Sequence, residues 1–198
     1  MVRNLLIKIL QVIKLWKTVF WSLIVKVQCA GYEGRVRVNR KTKVTKYTFL
    51  GSNVNFNGMD ITGCGQVHIG NNFHSGSECQ IITSMHNYDD GEAIPYDSTN
   101  IHKRVEIEDN VWLGNRVIVL GGVCIGEGAI VQAGSVVVSD VSACSIVGGH
   151  PARVFSQRDL SHYNKLKALK ISNDLSKNYI HKDKKKSKKS KNKKKTLN

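Results

Sequence analysis

The sequence predicts an all-β chain wound as a parallel β-helix, and three observations carry that reading. Six consecutive hexapeptides run from Ile107 to Ser142: IEDNVW, LGNRVI, VLGGVC, IGEGAI, VQAGSV and VVSDVS. Their first position is Ile107, Leu113, Val119, Ile125, Val131 and Val137, and their fifth is Val111, Val117, Val123, Ala129, Ser135 and Val141. An aliphatic residue followed four places later by a small or β-branched one, every six residues, is neither a helical period nor simple strand alternation. Gly, Asn and Asp crowd the positions between, as tight turns at fixed intervals require. Three hexads make one coil, so residues eighteen apart stack. Ile107 is expected under Ile125, Leu113 under Val131 and Val119 under Val137. No coil buries its own faces, so several must stack for any to be stable.

The elements follow in order. Residues 1–30 are apolar, but Lys8, Lys14, Lys17 and Lys26 interrupt them. The uncharged run from Thr18 to Val25 is far short of the roughly 20 residues of a membrane span, and lysines inside the apolar stretch fit a signal peptide badly. As a helix the segment puts Lys8, Gln11, Leu15, Thr18, Ser22 and Lys26 near one stripe. Trp16, Phe20 and Trp21 join the apolar remainder. Such a helix suits a membrane interface, and equally the flank of the coils or another subunit. The β-helix is expected over 31–157. Residues 31–49 read as a strand or a poorly formed first coil. Leu50 opens a second, and Ile69, Ser75 and Ile81 a third, with an uncertain register between Phe56 and Val67. Residues 87–106 (NYDDGEAIPYDSTNIHKRVE) break the period and form a long loop, which in a compact repeat domain is usually functional. Leu160, Tyr163, Leu166 and Leu169 mark a C-terminal amphipathic helix over 158–178, packed on the outside of the coils. Residues 179–198 read as a disordered, Lys-rich tail.

The formal net charge is +15. The last eighteen residues hold ten Lys against one Asp, which leaves the remainder at +6. The tail suits an anionic surface or simple solvation, and it has no interleaved aromatics for stacking on nucleic acid bases, so nucleic acid is not an expected partner. Cys29, Cys64, Cys79, Cys124 and Cys144 show no CxxC spacing. They read as buried, reduced thiols of a cytoplasmic protein, with no metal site.

The run VEIEDNVWLGNRVIVLGGVCIGEGAIVQAGSVV followed by SIVGGHPARVF resembles the hexapeptide-repeat acyltransferases, and among them the sugar and surface-polysaccharide O-acetyltransferases. The likeness covers about residues 48–158. It includes Trp112-Leu113-Gly114, Ala133-Gly134-Ser135, the closing Pro151–Val154 segment, and a histidine one coil before the tryptophan, His86. The resemblance implies a left-handed coil, a hand that the periodicity does not supply. It also implies a homotrimer, acetyl-CoA as co-substrate in the groove between neighbouring subunits, a sugar or glycan acceptor, and no metal.

Attack of a sugar hydroxyl on a thioester needs a base, and a histidine with a pKa near 6.5 suits that step. His86, ending a coil at the base of the loop, is the candidate. The Asn115 N–H, following the Trp-Leu-Gly step, is the expected donor to the developing oxyanion. The resemblance places Trp112, Gly114, Ala133, Gly134, Ser139 and Arg153 along the CoA groove. Asn57 (with Asn55 as its neighbour in an uncertain register), Asp89, Asp90 and Glu92 are the acceptor-side candidates. Val138-Ser139 replaces the Thr-Lys often found there in related enzymes, so a lysine charge is missing. Three rivals stay open. One is N-acetylation of an amino sugar or other small acceptor, and one a non-catalytic scaffold. The third is a zinc site gathering His68, His74 and His86, in which His68 and His86, eighteen apart, stack on one face. A peripheral position at the inner face of the membrane, through residues 1–28 and the tail, completes the expectation.

Overall fold

The computed structural model describes residues 2–171. The expected tail at 179–198 and the last part of the expected C-terminal helix lie outside the described residues. Among the described residues, 2–163 form one compact unit, which contains the β-helix, and those from 164 onward belong to a second.

Three parallel sheets make its walls. The first face stacks Gly31–Tyr32, Thr48–Leu50, Val67–Ile69, Val105–Ile107 and Cys124–Ile125. The second stacks Val36–Val38, Val54–Phe56, His74–Ser75, Trp112–Leu113, Ile130–Val131 and Ser145–Gly149, and Ala152–Gln157 closes it as an antiparallel hairpin strand. The third stacks Met59–Thr62, Cys79–Ile82, Ile118–Leu120 and Val136–Val137. Ile107 pairs with Ile125, Leu113 with Val131 and Val119 with Val137, in the predicted register. All six are fully or almost fully buried. The rows extend down through Ile69, Ser75 and Ile81 to Leu50 and Ile61, a single core of aliphatic residues with Phe56 and Phe73 in tilted contact.

Residues 31–49 do form a complete first coil, tied to the next by Val36–Val54 pairing and a Lys43–Asp60 bridge. The uncertain register resolves into extra turn residues. Coil spacing is eighteen at Val36–Val54, nineteen at Asn55–His74 and twenty at Met59–Cys79. Where the loop is inserted it becomes thirty-eight, so His68 pairs with Glu106 and Phe49. The expectation that His68 stacks with His86 is therefore wrong, because the chain leaves the coil before His86 reaches a face.

The corner between the first and second faces needs a left-handed backbone at every level. Asn53, Asn72 and Asn110 stand there at φ 58, 56 and 62°, a region Asn tolerates better than most residues. Their side chains form a ladder: Asn53 Nδ2 donates to Asn72 Oδ1 at 2.8 Å, and Asn72 Nδ2 to Asn110 Oδ1 at 3.0 Å. Tyr163 caps the ladder. Its hydroxyl donates to Glu127 Oε1 at 2.8 Å and accepts from Asn110 Nδ2 at 3.1 Å. The C-terminal helix, Leu160–Ala168, thus begins on a polar anchor. No residue of this helix is buried, and Leu160 is half exposed.

The N-terminal helix, α1, spans Val2–Gln28. Only Val25 in it is buried. Trp21 packs partly against the core. Two of the expected buried thiols are buried, Cys79 and Cys144, whereas Cys29 and Cys124 are half-buried and Cys64 is exposed.

Candidate active site

Two corners of the coil carry the predicted chemistry. The loop leaves the corner between the third and first faces as a hairpin, with Ser84–His86 antiparallel to Asn100–His102. Thr83 holds its base: Thr83 Oγ1 accepts Gly65 N–H and the Thr83 carbonyl accepts Lys103 N–H. Within the hairpin, Ser84 Oγ and His102 Nδ1 lie 2.6 Å apart. His86 ends the first strand, exposed, opposite Asn100. Tyr96 lies flat on its imidazole, centroids 3.6 Å apart and planes 5° from parallel. Among the described residues neither ring nitrogen of His86 has a hydrogen-bond partner, so both are open to a substrate.

Asp89, Asp90 and Glu92 are exposed, and among the described residues no side-chain bond ties them to His86. The carboxylate that orders the loop is Asp97, which the sequence reading passed over. It accepts from Thr99 Oγ1, Thr99 N–H and Glu92 N–H. Those donors hold its pKa down to about 2, the Thr99 hydroxyl first among them. An Asp two residues before a Thr is an Asx-turn signal, and Asp97-Ser98-Thr99 carried it; Tyr96 carried no comparable signal.

Asn115 stands at another corner, between the second and third faces. Its Oδ1 accepts Ser77 N–H at 2.9 Å and its carbonyl accepts Gly134 N–H at 2.8 Å. Its own N–H donates to no acceptor among the described residues, as an oxyanion donor requires. Arg116, at φ 57°, holds this corner through an exposed ion pair with Glu78. Trp112 is 49% exposed on the second face, between His74 and Ile130. Ala133, Gly134 and Ser139 are exposed, and Arg153 is exposed on the closing hairpin, its guanidinium donating to its neighbour's carbonyl. Gly114 is small for a different reason. A Cβ there would lie 2.5 Å from Ala133 N and 2.8 Å from Ala133 Cα of the next coil, whereas a Cβ on Gly134 would meet nothing within 4 Å.

Asn57 lies at the same corner in an earlier coil. Its Nδ2 donates to the Ser75 carbonyl at 2.8 Å and its Oδ1 accepts from Asn39 at 2.9 Å. It also reaches His74 Nε2 at 3.2 Å. Burial lowers the pKa of His74, which favours a neutral ring accepting at Nε2. Asn55 is 3% exposed, with Nδ2 spent on the Asn53 carbonyl, and is out of an acceptor's reach. Within one chain the three histidines of the zinc alternative do not converge: His68 is on the first face, His74 on the second and His86 on the hairpin. Among the described residues no group of His, Cys, Asp and Glu is arranged to hold a metal.

The architecture and the repeat together define a hexapeptide-repeat β-helix. Residues 104–139 match the family described as bacterial transferase hexapeptide, six repeats, and the fold is that of the hexapeptide-repeat acetyltransferases. A maltose O-acetyltransferase structure from Clostridium difficile 630 is 28% identical, with TM-score 0.53, covering 65% of this chain and 66% of that one. A galactoside acetyltransferase in complex with coenzyme A shares the fold at 22% identity and TM-score 0.55, covering 68% of each chain. A Schizosaccharomyces pombe protein, provisionally named an acetyltransferase, is 38% identical over 93 residues, which are 44% of this chain and 41% of that protein. The chain thus spans less than half the length of this curated relative.

Proposed function

We propose that this protein transfers an acetyl group from acetyl-CoA to a hydroxyl of a sugar or glycan, in the cytoplasm, with His86 as general base. The observation that carries the reading is the pair of unsatisfied groups. His86 offers free ring nitrogens on a loop ordered by Tyr96 and Asp97, and Asn115 offers a free N–H on a rigid corner. The likeness to the maltose O-acetyltransferase supports the hydroxyl as acceptor.

In the step itself a His86 ring nitrogen takes the acceptor's hydroxyl proton as the oxygen attacks the thioester carbonyl. Negative charge moves to the carbonyl oxygen, where the Asn115 N–H stabilises it. Collapse breaks the C–S bond, and the departing thiolate recovers the proton from His86. The products are the O-acetyl ester and CoA thiol. Trp112, Gly114, Ala133, Gly134, Ser139 and Arg153 would line the groove for the CoA, with Arg153 supplying charge for its phosphates. Asn57, Asp89, Asp90 and Glu92 remain the acceptor-side candidates. Asn57 is the most constrained of these, because both ends of its amide already hold partners.

One chain places His86 and Asn115 at different corners of its coil. A complete site therefore needs the His86 hairpin of one copy beside the Asn115 corner of another, which a homotrimer supplies. Thiol release from acetyl-CoA against a panel of mono- and oligosaccharides tests the function, with His86→Ala alongside. Sugar-dependent release that the variant loses by a factor of roughly 10² or more, with the oligomer intact, is the expected result. Unchanged release in His86→Ala would remove the proposed base. Co-assembly of His86→Ala with Trp112→Ala subunits should recover part of the activity that each variant lacks alone.

A further inference from the structure

Helix α1 meets the β-helix with the wrong side for a core-seeking amphipathic helix. At 3.6 residues per turn, Leu5, Ile9, Val12, Trp16, Phe20 and Leu23 fall within one sector of roughly 80°. The residues that touch the body lie on the opposite side: Val25 is buried, Trp21 is partly so, and Ser22 Oγ accepts Val38 N–H at 2.9 Å. The apolar sector consequently faces away from the coils, with Trp16 70% and Phe20 56% exposed. Lys8 and Lys26 border it on one edge and Lys17 on the other, where long stems can lie along apolar surface with their ammonium groups at its rim.

The charge of the first unit is divided along the chain in the same sense. Residues 2–50, comprising α1 and the first coil, hold eleven Lys and Arg against Glu33 alone. Residues 51–163 hold five Lys and Arg against twelve Asp and Glu. Helix α1 has no acidic residue at all. Two such helices packed face to face would bring like charges together with nothing to neutralise them, whereas an anionic bilayer neutralises them and takes up the apolar sector. Among the described residues no helix is long and apolar enough to cross a membrane, so the fitting geometry is one of lying in the surface.

We propose that α1 lies in the interface of an anionic lipid bilayer, apolar sector down, with the cations of the first coil against the headgroups. The inference does not depend on the acetyl-transfer reading.

Co-sedimentation of the full chain with phosphatidylcholine vesicles, with and without phosphatidylglycerol, tests it. The expected result is binding to the anionic vesicles that weakens with salt, each basic residue near the surface contributing roughly five-fold to partitioning. Trp16→Ser with Phe20→Ser should reduce that partitioning by about tenfold or more with an unchanged melting temperature, since both side chains are exposed. Three outcomes would overturn the proposal: no binding to anionic vesicles, equal binding to neutral ones, or binding that the double substitution leaves intact. In the last case the Lys-rich segment at 179–198 would be the lipid contact. If the double substitution instead dissociates an oligomer and vesicles bind neither form, a second copy is the occupant of this face.

Discussion

Gly114 and Gly134 are both expected along the CoA groove, yet the structure separates them, and an alanine at each makes the difference measurable. An alanine Cβ at position 114 would stand 2.5 Å from Ala133 N and 2.8 Å from Ala133 Cα. Those are backbone atoms of the next coil, held by the Gly114 N–H to Val131 carbonyl bond at 2.8 Å and the Gly134 N–H to Asn115 carbonyl bond at 2.8 Å. The clash cannot be relieved by a side chain swinging aside; the coils must part locally and lengthen those bonds. Overpacking of this kind costs about 1–3 kcal/mol, and weakening two backbone bonds adds roughly 1 kcal/mol. At about 2–4 °C per kcal/mol for a chain of this size, Gly114→Ala should lower the melting temperature by roughly 4–16 °C. Gly134 has open space but a φ of +75°, so its alanine costs only the left-handed conformation, about 1–2 kcal/mol and correspondingly few degrees. Thermal unfolding of the two variants, with KM for acetyl-CoA measured on each, reads both effects. A Gly114→Ala protein as stable as the parent but with a raised KM would refute the stacking argument and return Gly114 to the groove alone.

Several further outcomes follow from the same geometry. Val119→Ala, at a fully buried row position, should cost roughly 2–4 kcal/mol by cavity formation, checked by denaturant unfolding. Tyr163→Phe removes the bonds to Glu127 and Asn110 and should cost about 1–2 kcal/mol. Burial, then Glu127, raises the Tyr163 pKa, so its contribution is present below pH 10 and lost as pH rises beyond it, a loss that the Phe variant should not show. The Asp97 pKa is held at about 2 against an ordinary 3.8. Its ordering of the loop is therefore complete above pH 3.8 and lost as pH falls toward 2, and Asp97→Asn should increase proteolytic cleavage within 87–99 at neutral pH while leaving the melting temperature unchanged. His74, lowered by burial, keeps its contribution above pH 6.5 and loses it as pH falls below. NMR titration of its ring should give a midpoint under that of an exposed histidine.

Much of this was written in the chain because a β-helix is a local code. Each coil repeats the same short decision, an aliphatic residue in and a turn residue at the corner, so Ile107, Leu113 and Val119 announce their partners eighteen residues on without any long-range information. The asparagines at 53, 72 and 110 are legible in the same way, since a left-handed corner selects for them. His86 and the loop were visible as the place where that code stops. What stopped being readable was whatever depended on the path of the chain through an interruption. The twenty residues of 87–106, legible as a break in the period, move the partner of His68 from His86 to Glu106, but the path of the chain within that break, with Tyr96 laid on His86, was not legible. Only the tertiary structure set His86 and Asn115 at separate corners, because corner identity is a count of completed turns. It alone turned α1 with Ser22 toward the coils and Trp16 away. The helical stripe was legible in the residues, but the side that meets the body is decided by the exposed edge of the first coil, where the Val38 N–H needs an acceptor and Ser22 Oγ provides one.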